Sequence, residues 1–183
     1  MYSINQITTL IGAHRCGTAE RNVSFLLTDS RSLAFPEETL FFALRSERND
    51  GHKYINELYN RGVRNFVVSK PPTEDLAGAN FLVVNDTLEA LQRLAERHRD
   101  NFDIPIVGIT GSNGKTVVKE WLYQVLMPCM RVTRSPRSYN SQIGVPLSVW
   151  RLDKNSEIGL FEAGISKPDE MMRLADIIQP TRS

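Results

Sequence analysis

The sequence predicts an α/β protein in two parts, a small mixed α/β domain over residues 1–102 and the start of a mostly parallel α/β domain over residues 103–183. Three observations predict it. Short apolar runs of strand length recur between helical stretches in the first part, strand and helix alternate in the second, and a glycine-bearing turn joins a strand to a helix at residues 110–116. Alternation of this kind argues for a mostly parallel sheet with helices on its faces.

In the first domain the runs Phe41-Phe42-Ala43-Leu44, Phe66-Val67-Val68 and Phe81-Leu82-Val83-Val84 read as short strands. Ile55, Leu58 and Tyr59 share one helical face, and Gly62 is placed to stop that helix. Asp86-Thr87-Leu88-Glu89 reads as a capping box, and Leu88, Leu91, Leu94 and Ala95 continue it as an apolar stripe to about Arg99. The polar stretch from Arg99 to Asp103 and the following Pro105 set the domain boundary at residue 102.

In the second domain a strand from Ile104 to Thr110, a turn from Gly111 to Gly114, a helix from Lys115 to Leu126 and a strand from Arg131 to Thr133 form a βαβ unit. Ile158 to Ala163 is a further strand. Ser166, Pro168, Asp169 and Glu170 open a helix whose apolar positions are Met171, Met172, Leu174, Ala175 and Ile178.

Composition narrows the chemistry. With 41% apolar residues in 183, each part can build a core. Twenty-two basic residues against 21 acidic ones leave a formal charge of +1 and no electrostatic footprint for nucleic acid or an anionic membrane, so small molecules are the expected ligands. No apolar run approaches a membrane span, and the N-terminus lacks the order of a signal peptide, which makes the cytoplasm the expected compartment. Cys16 and Cys129 stand far apart without metal-type spacing and read as packing residues.

The turn Thr110-Gly111-Ser112-Asn113-Gly114-Lys115-Thr116 has the makings of a phosphate loop. Gly111 and Gly114 permit backbone angles that aim successive N–H groups at phosphate oxygens, and the helix N-terminus adds partial positive charge. Lys115 is the candidate catalytic residue, reaching the β- and γ-phosphates of ATP, with the Thr116 hydroxyl as a ligand of Mg²⁺. The strict G-x-x-x-x-G-K-[ST] spacing is not met, because five residues separate Gly108 from Gly114. Glu162, at the end of the apolar run Ile158-Gly159-Leu160-Phe161, is placed as the metal carboxylate; a strand-end glutamate facing solvent is the alternative.

With these residues quoted, the chain resembles the Mur ligases, and within them the MurF type that joins D-alanyl-D-alanine to UDP-N-acetylmuramoyl-tripeptide. That family's loop reads T-G-[ST]-x-G-K-[ST], which the displaced glycine here matches. Lys119-Glu120, Asn140-Ser141-Gln142-Ile143-Gly144-Val145-Pro146-Leu147 and Glu162-Ala163-Gly164 are similar to its K-E, N-N-x-I-G-V-P-L and E-[LMA]-G segments, Ser141 departing from the second asparagine. In the first domain Thr28-Asp29-Ser30-Arg31 and Asp50-Gly51-His52 look like the T-D-[ST]-R and D-G-H motifs of the MurE and MurF types.

The resemblance implies an ATP- and Mg²⁺-dependent amide-forming ligase of peptidoglycan precursor synthesis, cytoplasmic and monomeric. ATP would phosphorylate the terminal carboxylate of UDP-MurNAc-tripeptide, and the amine of D-Ala-D-Ala would then displace phosphate. Ser30, Arg31 and Asn140 become substrate-binding candidates, and Glu162 a magnesium ligand. At the level of residues, Arg31 can pair with a phosphate or with Asp29, and Asp29 and His52 can serve as ligand contacts or as hydrogen-bonders of the fold. The resemblance also implies that the chain stops part-way through the ATPase domain, leaving an unpaired sheet edge, a less stable second domain and no ligase activity by itself. The alternatives are a MurE-type ligase adding the third amino acid, and a non-catalytic module that binds a UDP-sugar or nucleotide.

Overall fold

Buried strands rich in Phe, Leu and Val organise both parts of the molecule, whose computed structural model describes residues 1–47, 49–71, 73, 76–164 and 170–182. The chain divides into two units, Met1–Leu91 and Gln92–Ser183.

The first unit opens with β1 (Tyr2–Ser3) and helix α1 (Ile4–Ile11). Ser3 and Gln6 form a reciprocal capping box, Gly12 closes the helix in the left-handed region, and Ile4, Ile7 and Ile11 give it a buried face. Strands β2 (His14–Cys16), β3 (Asn22–Val23), β4 (Phe25–Leu27), β5 (Thr39–Phe42), β6 (Asn65–Val68) and β7 (Asn80–Val83) follow, with helix α2 (Ile55–Asn60) between β5 and β6. β1 pairs with β3. The other five make one sheet in the order β2-β7-β6-β5-β4, antiparallel only at β2.

Phe41, Phe66 and Phe81 are register partners across β5, β6 and β7 and therefore share a face. Phe66 stacks on Phe81 at 5.2 Å, and the cluster takes in Leu27, Ile55 and Leu58. Leu40, Phe42, Val67 and Leu82, on the opposite face by alternation, are buried as well. Both faces are thus covered, which explains why these strands read as continuous apolar runs.

Helix α3 (Thr87–Arg99) begins where expected, with the Asp86 half of the box in place: its carboxylate accepts the N–H groups of Leu88 and Glu89. The division into compact units falls inside it, between Leu91 and Gln92. The reason is local. From Gln92 onward the helix is tied into the second unit, by Gln92 to Gln142 at 2.7 Å, Glu96 to Arg173 at 2.8 Å, and the Arg99 guanidinium to the carbonyl oxygens of Ile178 and Gln179.

The second unit contains β8 (Ile106–Ile109), α4 (Lys115–Leu126), β9 (Val132–Arg134), α5 (Gly144–Val149), β10 (Ile158–Glu162) and α6 (Glu170–Ile178). All its strand pairs are parallel, in the order β8-β10-β9. The strands of the expected βαβ unit, β8 and β9, are therefore not neighbours; β10 inserts between them. The core gathers Ile106, Val145, Val149, Phe161, Leu174 and Ile177. Helix α5 carries no sequence signal of its own, since Pro146 and Gly144 weaken any helical pattern.

Of the expected start of α6, Ser166, Pro168 and Asp169 lie outside the described residues. The outer edge of β8 is not bare: Arg182 forms a parallel bridge to Val107 and accepts the Gly108 N–H at 3.0 Å.

Candidate functional site

The parallel register puts the ends of β8 and β10 side by side, Glu162 opposite Ile109. The loop 110–116 leaves β8 at that end, so strand pairing delivers a carboxylate to the loop from a segment far along the chain. Carboxyl ends of parallel strands are where α/β sheets place ligands.

Gly111 and Gly114 both adopt positive φ, 137° and 77°. At Gly114 this is the turn that starts α4, with Lys115 and Thr116 as its first residues. Thr110 through Gly114 are exposed and open to an incoming anion. The Lys115 ammonium folds over the loop and donates to the Gly111 carbonyl at 2.7 Å, so its charge sits at the loop.

Thr116 Oγ1 donates to Glu162 Oε2 at 3.0 Å. Glu162 is fully buried, which removes the solvent-facing alternative. Its Oε1 lies 2.7 Å from Lys119 Nζ as an ion pair but accepts no directed hydrogen bond. Its own N–H donates to Ser135 Oγ, at the end of β9, fixing the backbone from the other side.

Two protein oxygens 3.0 Å apart match the spacing of adjacent ligands around an octahedral ion with bonds of about 2.05 Å, roughly 2.9 Å. A carboxylate and a hydroxyl are hard oxygen donors, and two protein ligands leave the other positions for phosphate and water, as Mg²⁺ sites commonly do. Among the described residues no cluster of three or more His, Cys, Asp and Glu side chains is assembled. The donor set of carboxylate and hydroxyl fits a magnesium ion carried by phosphates.

Asn140 is held to the segment just after Glu162: its carbonyl accepts the Gly164 N–H at 2.8 Å. A Cβ on Gly164 would lie 3.0 Å from the Asn140 side-chain amide, so a larger residue there would make that amide shift. Thr110 to Thr116, Glu162 and Asn140 are thus brought into one region of the second unit.

Ser30 and Arg31 belong to the first unit. Asp29 accepts the Arg31 N–H at 3.0 Å, an Asx turn, and its side chain pairs with the Arg31 guanidinium at 2.6 Å. The Arg31 guanidinium holds the Asp29 carboxyl below the usual carboxylate range, and that carboxylate raises the arginine in turn. Arg31 nevertheless remains 87% exposed. Ser30 is buried, its carbonyl held by Arg61 at 2.7 Å.

Asp50-Gly51-His52 is built into the fold. Asp50 accepts the His52 N–H, the main cause of its lowered carboxyl pKa. The Ser69 N–H donates to His52 Nε2 at 3.0 Å, so Nδ1 carries the proton and donates to Asp50. This motif joins the ends of β5 and β6 beside a cleft of about 320 Å³ lined by Arg45, Lys53, Ser69 and Lys70. Asp50 lines the same cleft and pairs with Arg45 at 3.4 Å, so its charge offsets part of the positive charge of Arg45, Lys53 and Lys70.

Sequence reasoning assigned no role to Lys119 or Ser135. For Lys119 a signal exists: it follows Thr116 by three residues in α4, so both lie on one helical face. Ser135 reaches Glu162 only through strand pairing and gives no such signal.

Two family models match the chain, the catalytic domain of the Mur ligase family over residues 22–99 and the Mur ligase middle domain over residues 109–182. UDP-N-acetylmuramoyl-tripeptide–D-alanyl-D-alanine ligases are among the relatives. That of Bacillus subtilis is 33% identical over 153 residues, covering 84% of this chain and 33% of the relative. That of Synechocystis is 38% identical over 161 residues, covering 87% and 35%. Among solved structures, MurF from Acinetobacter baumannii matches 98% of this chain and 39% of its own, with a TM-score of 0.87 and 27% identity. MurF from Thermotoga maritima, solved in complex with ADP, matches 86% and 36%, with a TM-score of 0.73 and 30% identity.

The chain spans about a third of the length of the relatives it matches. No helix among the described residues is long and apolar enough to cross a membrane. With two successive Mur ligase domains matched in chain order and the loop and strand-end glutamate side by side, the chain belongs to the Mur ligase family.

Proposed function

We propose that this chain carries the UDP-sugar-peptide-binding and phosphate-binding parts of a ligase that joins D-Ala-D-Ala to UDP-MurNAc-tripeptide, at the expense of ATP, in peptidoglycan precursor synthesis. The observation that supports it best is the Thr116–Glu162 pair at the mouth of a glycine loop. The names of the relatives favour D-Ala-D-Ala over a third-residue amino acid as the incoming amine.

In this reading residues 110–114 cradle ATP phosphates with backbone N–H groups, and Lys115 draws charge off the transferring phosphoryl group. Thr116 and Glu162 hold Mg²⁺, which when bound screens the phosphate charges. Asn140 orients substrate near the loop, while Ser30 and Arg31 contact the UDP portion from the first unit. The ligase acts in the cytoplasm and as a monomer.

Calorimetric titration of the chain with ADP and Mg²⁺ tests the second unit. The Lys115→Ala variant is expected to bind at least about ten-fold more weakly. Unchanged affinity would favour a non-catalytic module in which the loop is only structural. A heteronuclear NMR titration with UDP-MurNAc-tripeptide should move resonances at Ser30 and Arg31; a response confined to residues 110–116 would remove the assignment of the first unit.

A further inference from the structure

Beside the proposed metal pair lies a buried charge that none of those contacts uses. Lys119 is fully buried, as is its partner Glu162, with Nζ 2.7 Å from Oε1. Its ammonium also donates to the Arg137 carbonyl and lies 3.4 Å from Glu120. Arg137 adopts φ 50°, a left-handed conformation costly for a residue with a side chain. The segment after β9 is therefore bent into an unusual shape where its carbonyl meets this ammonium. A buried ion pair is a weak device for stability alone, because the desolvation of both charges offsets their attraction.

The geometry divides the carboxylate. Lys119 takes Oε1, and Thr116 takes Oε2 from the loop side. Glu162 and Lys119 cancel, while Lys115 stands at the loop as a further cation. A free divalent cation meets a site already neutralised and faces a nearby ammonium. A cation bound to a polyphosphate brings negative charge that both lysines attract.

We propose that Lys119 is the resident counter-cation of this metal site, and that its charge makes the site select a metal–polyphosphate complex over the free metal ion. The inference rests on the reading of Thr116 and Glu162 as the metal-holding pair. Lys119 acts through Glu162 and is a positioning residue.

The test is uptake of Mn²⁺ by the chain, with and without ADP, followed as loss of the free-ion paramagnetic resonance signal beyond the loss that the same ADP causes without protein. The wild-type chain is expected to take up Mn²⁺ at least about ten-fold more tightly with ADP than without it. Lys119→Met should bind Mn²⁺ alone about ten-fold more tightly than wild type, whereas Lys119→Arg should match wild type. A Lys119→Met midpoint equal to wild type overturns the counter-cation role. Where circular dichroism shows that variant unfolded, the wild-type comparison decides: equal Mn²⁺ affinity with and without ADP overturns the proposal. Absence of Mn²⁺ uptake by wild type even with ADP overturns the metal-site reading itself, and this inference with it.

Discussion

The Thr116 hydroxyl and the Glu162 carboxylate meet at 3.0 Å across 46 residues of sequence, one at the start of a helix and the other at the end of a neighbouring strand. Only the insertion of β10 beside β8 makes that meeting possible. Thr116→Val keeps the β-branched shape and removes the oxygen. Its ADP affinity in the presence of Mg²⁺ is expected to fall roughly ten-fold, with metal-free affinity nearly unchanged. Calorimetry with and without Mg²⁺ checks this, and an equal loss in both conditions would place the effect in the loop and not in the metal.

Two glycines separate steric need from conformational need. A Cβ on Gly51 would lie 2.8–2.9 Å from backbone atoms of Ala43 and Leu44, whereas one on Gly114 meets nothing within 4 Å. Gly51→Ala is therefore expected to destabilise by about 2–3 kcal/mol through overpacking. Gly114→Ala should cost only about 1–2 kcal/mol, from its φ of 77°. Urea unfolding of both variants gives the order, and a larger loss at Gly114 would contradict it.

Much of the fold was legible because apolar runs on doubly covered sheets announce themselves: β5, β6, β7 and β10 are where Phe, Val and Leu cluster. The cap at Asp86 and the stop at Gly62 were equally plain, being side-chain and backbone chemistry local to a few residues. Sheet order was not legible. Nothing in β8, β9 or β10 taken singly says that the third lies between the other two, and so the burial of Lys119 against Glu162 stayed hidden. The loop was readable from its glycines and lysine, while the role of Asp50-Gly51-His52 in tying β5 to β6 needed the long-range bond from Ser69.

Arg31 offers a clean separation of binding from stability. Its side chain is 87% exposed and its ion pair to Asp29 is a surface one. Arg31→Ala is expected to leave the melting temperature unchanged while weakening UDP-MurNAc-tripeptide binding about ten-fold through loss of a charge-assisted contact. Thermal melts and NMR titration report the two quantities separately. A lowered melting temperature with unchanged affinity would make the T-D-S-R segment structural.

His98 gives the second unit a pH limit. The imidazole is buried between Phe102 and Trp150, with Nε2 3.0 Å from the Leu152 carbonyl oxygen, and burial pushes its pKa down from 6.5 to about 4. The unfolded chain, with an ordinary histidine, binds a proton near pH 6.5 that the folded chain refuses until about pH 4. Stability from this residue is therefore complete above pH 6.5, declines as pH falls through that window, and levels off below pH 4. The full decline is about 3 kcal/mol, at 1.36 kcal/mol per unit of difference. His98→Gln cannot take up that proton, so its urea midpoint should depend less on pH between 7 and 4.5 even if it is lower throughout. Parallel pH profiles for wild type and variant would show that acid sensitivity arises elsewhere, the carboxylates of Asp29 and Asp50 being groups whose lowered pKa values act in the same direction at lower pH.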